Sequence, residues 1–484
     1  MLALFRNNIK WIGWSIVIAF ALTMFAGTFW GGGGSSRSAS TSSPELSTDY
    51  VALVGSIPVS GQKFYGFFSE VQTASMESDQ HRKPNPEMLM ERYYYAFQRA
   101  MEFSILLQHA HATDVSVTQS EYKSYLQQVM QGLGITRKSE LRQRLADNGL
   151  HYDQYKRRLE DNIRVQKIQK TLNQVSISDQ DILNYNTELL ASHILIPIDP
   201  DQPDAARAQI ETIRDDILRG NLSFTQAASQ YSADPSNAQK GGDLGWIRYH
   251  SVVAPFADAA YALDKGALSE PVKTQFGWHL IKVEDSRPTK VIEPDAFASE
   301  RQTVAQARAQ YNKNQLLVDV AGDSPLIIVN PLLKGVHAIK TGVYADAIQG
   351  FEASISQDPD SPIPHYFLAK LYAEKDQHDL AESEWKKAGL KADLMQETSP
   401  WPSVYVGQGQ YYAEQGQRTK MKAAYAKALD LGKTDLNTLD ALADAYTEAG
   451  MVAKFNAVDQ QRQDLQAALK ADGDAAESLI PDSQ

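Results

Sequence analysis

The sequence predicts a multidomain, mainly α-helical protein with one small α+β domain, one N-terminal transmembrane helix and a C-terminal α-solenoid. Three observations lead to this prediction. An uncharged run of 20 residues lies near the N-terminus, strand-like and helix-like segments alternate between residues 191 and 285, and small residues recur at a fixed spacing after residue 340. A chain of 484 residues is also too long for a single hydrophobic core.

Composition excludes several functional classes. The net charge of −12 argues against a nucleic-acid-binding protein, because no large basic face is available to neutralise phosphates. The chain has no cysteine, which excludes thiolate catalysis, disulfides and cysteine-ligated metals.

The N-terminus predicts a membrane anchor. Residues 11–30 carry no charge, and a helix of that length spans the hydrocarbon core of a bilayer. Arg6 and Lys10 precede this run, so the positive-inside rule keeps the short N-terminus cytoplasmic and sends the rest outward. A cleaved signal peptide is the alternative, but no A-x-A site follows. We therefore expect a single-pass inner-membrane protein, with residues 1–30 as cytoplasmic tip and anchor, residues 31–49 as a flexible linker, and the bulk of the chain in the periplasm.

Residues 50–185 are predicted to form a helical N-terminal domain. Residues 50–64 are typical of a short strand, a turn and the start of a helix, and the segment from residue 85 onward has apolar residues at helical spacing. The segments VSVTQSEYKSYLQQVM and ISDQDILNYN, at 115–130 and 177–186, each open with a Ser or Thr cap and with acidic residues or Gln in the first turn, which predicts capped helix starts.

Residues 186–288 predict a small sheet domain with the order β-α-α-loop-α-β-β. Residues 191–196 form its first strand, 234–246 its loop, 254–266 a helix ending at Gly266, and 270–283 two strands around a turn at Phe276–Gly277. A returning helix at 294–320 and a strand at 324–329 complete a segment, 289–330, that we expect to pack on the N-terminal domain.

Residues 331–465 contain a repeat. Ala347 and Ala381 are 34 residues apart, which is the tetratricopeptide period, and Tyr425 and Ala428 continue the frame after an insertion. The alternative is an unrelated helical bundle. Residues 466–484 are predicted to be a flexible tail.

Two histidines interrupt apolar strands. Since side chains alternate along a strand, His193 and His279 meet across the sheet if their strands are neighbours. Two neutral imidazoles can satisfy each other's hydrogen-bonding groups, which removes the cost of burying them. A metal site needs further ligands at motif spacing, and although Asp234 could be a third, no H-x-x-x-H or H-E-x-x-H motif exists. Two satisfied core histidines without catalysis remain equally compatible with the spacing.

Several motifs together carry a family resemblance. The segments ASHILI, YSADPS, GGDLGW, PFADAAYAL and GALSEPVKTQFGWHLIKV occur in this order between residues 191 and 285. This region resembles a parvulin-type peptidyl-prolyl isomerase domain, and the layout up to residue 320 is similar to envelope foldases of the SurA and PpiD group. The tetratricopeptide-like region is not part of that group's usual pattern.

The resemblance implies roles for seven residues. His193 and His279 match the paired core histidines, and Asp234 stands where parvulins place Cys or Asp beside the prolyl amide. The residues that match the substrate pocket are Leu244, Val252, Phe256 and Phe276. Val252 departs from the family, which commonly has Met there, so one wall of the pocket is wider. The resemblance implies no metal and no cofactor.

Two functional hypotheses remain open at this point. The first is a membrane-anchored isomerase and chaperone that acts on X–Pro segments of unfolded or nascent exported proteins. The second is a holdase or translocon-associated chaperone whose parvulin domain only binds peptides. In either case the repeat region is predicted to offer a surface to a protein partner, and a weaker alternative makes it a scaffold for an envelope complex.

Overall fold

The computed structural model describes residues 50–78, 82, 85–199, 202–274, 276–322, 324–394 and 401–478. The predicted anchor at 11–30 and the linker at 31–49 lie outside the described residues, so both stay predictions. Within the described ranges, no helix combines the length and the apolarity needed to cross a bilayer.

The described chain is mostly helical. The strands are β1 Tyr50–Val54, β2 Ile57–Ser60, β3 Thr187–Ile196, β4 Asp243–Arg248, β5 Val272–Thr274, β6 Gly277–Pro288 and β7 Leu326–Ile328. The helices before β7 are α1 Gly61–Ser78, α2 Pro86–Ala112, α3 Gln119–Gly132, α4 Lys138–Asp147, α5 Tyr152–Asn173, α6 Asp179–Tyr185, α7 Pro203–Leu218, α8 Phe224–Tyr231, α9 Ala254–Tyr261 and α10 Phe297–Ala321. The helices after β7 are α11 Pro331–Thr341, α12 Tyr344–Gln357, α13 Pro362–Glu374, α14 His378–Leu394, α15 Pro402–Glu414, α16 Arg418–Gly432, α17 Leu436–Glu448 and α18 Val452–Ser478. Helix α18 continues beyond residue 466, where a flexible tail was expected.

Contacts divide the chain into two compact units. One consists of residues 166–319, and the other combines the residues before 166 with those after 319.

The unit of residues 166–319 is built on a four-stranded antiparallel sheet. Its order is β4-β3-β6-β5, which places β3 and β6 at the centre. Ile194 and Leu280 point to one face, where they pack with α7 and α8. Ala191 and Ile281 point to the other face, where they pack with α9. The alternation of side chains along the two central strands therefore separates the face covered by α7 and α8 from the face covered by α9, which carries His193 and His279.

Two expectations for this unit were wrong in detail. The segment 234–246 was expected to be all loop, but β4 begins at Asp243. Its pattern is hidden because Asp and Gly are poor strand formers and Gly245, at a φ of 66°, interrupts the alternation. Helix α9 ends at Tyr261 rather than at Gly266, because residues 262–266 form turns and the Gly266 N–H pairs with the Val283 carbonyl.

Helix α10 packs inside the same unit. Its Val304 lies in a buried cluster with Ile177 and Ile182, and the Arg301 side chain donates to the Ile177 carbonyl at 3.0 Å. The returning helix therefore contacts the segment around α6 as well as the sheet domain.

The other unit opens on a small sheet in the order β2-β1-β7. Strand β7 confirms the strand expected at 324–329. Strand β2 was missed because it contains Pro58, and proline is tolerated in a strand only at an edge such as this one.

The predicted caps are confirmed: Thr118 and Ser178 accept hydrogen bonds from the backbone N–H groups of Glu121 and Asp181 at 3.2 and 3.1 Å.

The residues after β7 form four successive helix pairs, α11–α12, α13–α14, α15–α16 and α17–α18. Each pair turns on a residue with positive φ, and these residues are Gly342, Asp376, Gly416 and Gly450. Their intervals of 34, 40 and 34 residues match the period of the sequence repeat and locate its insertion in the middle interval. Ala347, Ala381 and Ala428 are fully buried, so the small residues of the repeat lie where the helices pack.

Helix α2 lies against the first helix of three of these pairs. Glu87 accepts hydrogen bonds from Tyr366 and Lys370 of α13, the latter at 2.8 Å, and Glu91 pairs with Lys340 of α11. Arg82, just before α2, binds Asp440 of α17 at 2.9 Å. The helix array and the N-terminal helices thus form one body through charged contacts.

Candidate active site

The two predicted histidines meet on the α9-covered face of the sheet. In the β3–β6 register His193 lies opposite Ile281 and His279 opposite Leu195, so the rings are diagonal neighbours. Their Nδ1 atoms are 3.2 Å apart, and the side chains are 6% and 4% exposed. The expectation that the imidazoles satisfy each other across the sheet is confirmed.

Asp234 holds the other side of His193. Its Oδ2 lies 2.9 Å from His193 Nε2 and accepts from Asn237 Nδ2 at 2.7 Å. Its Oδ1 accepts from the backbone N–H and hydroxyl of Ser236 at 2.9 and 2.7 Å. An aspartate that bonds the backbone two residues ahead forms a compact turn, and this turn fixes the carboxylate beside the imidazole.

Thr274 holds the other side of His279. Its Oγ1 lies 2.8 Å from His279 Nε2 and accepts from the Phe276 backbone N–H at 3.1 Å. Strand β5 supplies this contact because it pairs with β6 around the Phe276 turn.

These contacts define one proton arrangement that satisfies every group. Asp234 is ionised, so His193 Nε2–H donates to it and His193 Nδ1 is a bare acceptor. His279 Nδ1–H then donates to His193, and His279 Nε2 accepts from the Thr274 hydroxyl. The result is a directional chain of hydrogen bonds that runs from Thr274 through both neutral rings to the Asp234 carboxylate.

The electrostatics agree with this arrangement. Burial raises the pKa of Asp234, but hydrogen bonds from Ser236, His193 and Asn237 outweigh burial and hold that pKa at about 2. Burial, reinforced by nearby His193 and opposed by Asp234, lowers the pKa of His279 to about 4. At neutral pH the site therefore combines a fixed negative charge with a neutral His279.

An apolar wall adjoins the rings. The Phe256 ring stands edge-on to both histidines, with centroid distances of 5.9 Å to His193 and 5.5 Å to His279. Leu244 and Val252 are partly buried against the same cluster. The structure thus brings together six of the seven predicted residues. The seventh, Phe276, lies in the β5–β6 turn with its side chain 56% exposed.

Two close backbone approaches require glycine. Gly242 has a φ of 82°, and a Cβ there would lie 2.2 Å from the His193 carbonyl oxygen. Gly277 has a φ of 138°, and a Cβ there would lie 2.3 Å from the Ile196 carbonyl oxygen. Both glycines thus let neighbouring backbone pack against β3, the strand that carries His193.

Sequence reasoning missed Ser236, Asn237 and Thr274. A signal existed for each of them. The run Asp-Pro-Ser-Asn is typical of a turn in which the Asp side chain bonds the backbone ahead, and a threonine five residues before His279 in a tight hairpin faces the same side of the sheet.

Comparisons with known proteins match two regions of the chain. Residues 193–285 match the family model of the PPIC-type peptidyl-prolyl isomerase (rotamase) domain, and residues 1–169 match the SurA-like N-terminal domain. The chain is 44% identical over 116 residues to the chaperone SurA of Salmonella choleraesuis and 40% identical over 129 residues to foldase protein PrsA 1 of Bacillus cereus. These matches cover 24% and 26% of this chain.

The matches are partial on both sides. They span 27% of the length of that SurA and 42% of the length of that PrsA. A crystal structure of a PpiC-type peptidyl-prolyl cis–trans isomerase domain is 30% identical and covers 22% of this chain and 94% of its own, at a TM-score of 0.21. By the two family-model matches, residues 193–285 are a PPIC-type, parvulin-class peptidyl-prolyl isomerase domain, in a chain that also carries a SurA-like N-terminal domain.

Proposed function

We propose that the chain is a membrane-anchored peptidyl-prolyl cis–trans isomerase and chaperone for unfolded exported proteins. The observation that carries the catalytic part is the complete hydrogen-bonded chain through His193, His279 and Asp234 beside the apolar wall around Phe256. The anchor and the periplasmic location are supported by the uncharged run at residues 11–30 alone.

The chemistry needs no nucleophile. Rotation about an X–Pro bond has a barrier of roughly 20 kcal/mol, because resonance gives the C–N bond partial double-bond character. An isomerase lowers this barrier when it binds the twisted amide more tightly than either planar form. In the planar amide the oxygen carries partial negative charge and the nitrogen partial positive charge, and twisting removes most of that separation.

The described residues can supply this preference. Phe256, Leu244 and Val252 offer an apolar slot of the kind that holds a proline ring. The Asp234 carboxylate, ionised at all ordinary pH values, disfavours a planar carbonyl oxygen placed near it and so favours the twisted form. The histidine pair keeps this carboxylate in place, because two buried rings with satisfied hydrogen bonds cannot reorient without losing them.

The chaperone part of the proposal rests on the N-terminal match and the printed names of the relatives. SurA is named a chaperone and PrsA a foldase, and the region that this chain shares with the SurA-like N-terminal model covers residues 1–169. We extend the proposal to the helix pairs after β7, whose 34-residue intervals favour a tetratricopeptide-like array that receives a protein partner.

A peptide clamp without catalysis is the competing function. To separate the two, we would measure isomerisation of a short X–Pro peptide by the full-length chain in detergent, for the parent, Asp234→Ala and Asp264→Ala. Asp264 is an exposed aspartate of the same domain and serves as the matched control.

Acceleration by the parent and by Asp264→Ala, with a large loss in Asp234→Ala, supports the isomerase. A folded parent that gives no acceleration, yet suppresses aggregation of an unfolded client, overturns the isomerase and leaves the clamp.

A further inference from the structure

A groove lies beside the isomerase site, between the sheet domain and helix α10. Its volume is about 460 Å³, within the range typical of ligand sites. One wall belongs to the isomerase domain and includes Lys273 and Thr274. The facing wall is the second half of α10, with Asn312, Gln315, Leu316 and Asp319. All of these residues belong to the unit of residues 166–319.

Helix α10 is fixed in this position by its middle segment. The Ala254 backbone N–H donates to the Tyr311 hydroxyl. The Arg308 guanidinium lies 4.8 Å from the centre of the Tyr249 ring and 3.6 and 3.7 Å from the carboxylates of Asp181 and Asp258. Because these contacts join α10 to α6 and α9, they fix the position of the helix that forms the facing wall of the groove.

The groove is continuous with the site. Thr274 lines the groove and also donates to His279, so one side chain belongs to both. Val253 and Ala254 also line the groove, and they directly follow the pocket residue Val252 in the chain. A polypeptide whose proline occupies the pocket therefore meets this groove with its flanking residues.

The α10 wall carries unused hydrogen-bonding groups. Asn312, Gln315, Leu316 and Asp319 are spaced at i, i+3, i+4 and i+7, which is one face of a helix. Asn312 and Gln315 are half-buried, and within the described ranges their side-chain amides form no hydrogen bond, whereas Gln310 and Asn314 of the same helix bond each other at 2.9 Å. An amide side chain offers both a donor and an acceptor, which is what the backbone of an extended peptide requires.

We propose that this groove binds the extended substrate segment next to the X–Pro bond, with Asn312 and Gln315 hydrogen-bonding its backbone. The inference rests on the proposed isomerase function and adds a specificity element that the isomerase domain alone lacks. With this groove, α10 discriminates between substrates by length. Substrates long enough to reach the groove gain contacts with α10, and substrates confined to the proline pocket do not. Lys273 and Asp319 on opposite walls bring one charge of each sign, so the groove favours no strongly charged segment.

The test compares two substrates on the full-length chain in detergent. One is a blocked tetrapeptide with a single X–Pro bond, and the other is an uncharged 12-residue peptide with the same bond at its centre. The variants are the double change Asn312→Ala with Gln315→Ala, the occluding change Gln315→Trp, and the control Gln306→Ala, an exposed glutamine of α10 outside the groove.

We expect the double variant to lower kcat/KM for the long peptide about tenfold, since each hydrogen bond contributes a few-fold in affinity. Gln315→Trp should lower it at least as much, and both variants should leave the tetrapeptide rate unchanged. Equal losses on both substrates, or no loss on the long one, overturn the inference while the isomerase proposal stands.

Binding of the fluorescently labelled long peptide, followed by anisotropy, gives a second readout. If the parent catalyses neither substrate, the isomerase proposal fails, and the groove is still tested by this binding. A weaker affinity in the double variant supports the groove, and an unchanged affinity rejects it.

Discussion

Among the described residues, two buried histidines each contact a carboxylate, one in each compact unit. In the isomerase domain His193 Nε2 lies 2.9 Å from Asp234, and in the helix array His365 Nδ1 lies 2.6 Å from Glu384. The imidazoles are equally buried, with side-chain exposures of 7% and 6%. The same contact therefore occurs in two settings that differ in what surrounds it.

The carboxylates and their neighbours separate the two pairs. Asp234 is 21% exposed and adjoins a second histidine and an apolar pocket. Glu384 is 10% exposed and lies between helices α13 and α14. Its other oxygen accepts a hydrogen bond from Lys387 at 2.6 Å. A buried histidine–carboxylate contact is thus no sign of catalysis by itself, and the second ring and the pocket make the difference.

The largest effect on stability is expected in the array. Glu384→Ala leaves the buried His365 without its hydrogen-bond partner and removes the contact with Lys387, and an unsatisfied buried polar group costs about 2 kcal/mol of unfolding free energy. Urea unfolding of the full-length chain measures this. The matched control is Glu382→Ala, whose partners Lys386 and Lys420 are solvent-exposed lysines, so the loss should stay below about 1 kcal/mol. Equal losses in the two variants would contradict the assignment of Glu384 to the buried class.

The pH dependence of stability should differ between the pairs. His279 has a folded pKa of about 4, below its ordinary value of 6.5, so the unfolded chain binds its proton first as pH falls. Stability contributed by neutral His279 is complete above pH 6.5 and is lost between pH 6.5 and 4, on the order of 2 kcal/mol. The contribution of Glu384, whose pKa is lowered from 4.5 by His365 and Lys387 against the effect of burial, is lost only below that value.

Unfolding at pH 7.0, 5.5 and 4.5 checks this sign. Partial desolvation also lowers the pKa values of His250 and His337, so the difference between the parent and His279→Asn isolates the site. If the parent gains stability relative to His279→Asn as pH falls from 7 to 4.5, the claim that His279 is neutral in the folded protein is wrong.

A matched charge removal tests the functional contrast. Asp234→Asn and Glu384→Gln make the same chemical change in the two pairs. We expect the first to lower kcat/KM for X–Pro isomerisation roughly tenfold, since the charge-assisted bonds to the carboxylate weaken. The second should leave the rate unchanged. A rate loss in Glu384→Gln with retained folding would erase the distinction between the pairs.

Removing the far end of the hydrogen-bond chain should have a smaller effect. Thr274→Val keeps the shape but takes the donor from His279 Nε2, which leaves a buried acceptor unsatisfied and costs about 1 kcal/mol. Thr274→Ser retains the donor and should restore most of the stability. Thermal unfolding measures both variants, and equal destabilisation by valine and serine would show that packing rather than the hydrogen bond matters.

The smallest effect is expected at the pocket wall. Val252→Met places a longer apolar side chain beside Phe256. One additional methylene in contact with the substrate changes the affinity for the peptide by a few-fold at most. The KM for a short X–Pro peptide should fall about two- to threefold at constant kcat. A higher KM would mean that valine already fills the wall.

Most of the fold could be predicted from the sequence because the patterns that indicate strands and helix starts are local. Alternation around His193 and His279 predicted two strands, while their pairing was left open, and Ser/Thr caps predicted helix starts, since each signal needs only a few adjacent residues. Strands β2 and β4 were missed because Pro58 and Gly245 break the local pattern, whereas pairing with β1 in a hairpin and with the more distant β3 stabilises both strands. The roles of Asn237 and Thr274 were missed because they depend on the turn around Asp234 and on the β5–β6 register, although the Asp-Pro-Ser-Asn run and the position of Thr274 in the hairpin gave local signals.

Helix α2 on the helix array has a consequence for any outside ligand. A helix that is covalently attached competes for its binding face at an effective concentration on the order of millimolar. If the intrinsic affinity of α2 for this face is micromolar, a free helical ligand would bind there about 1,000-fold more weakly in apparent terms. The contacts of Glu87 with Lys370 and of Arg82 with Asp440 thus act as a built-in competitor that sets a threshold for partners of this face.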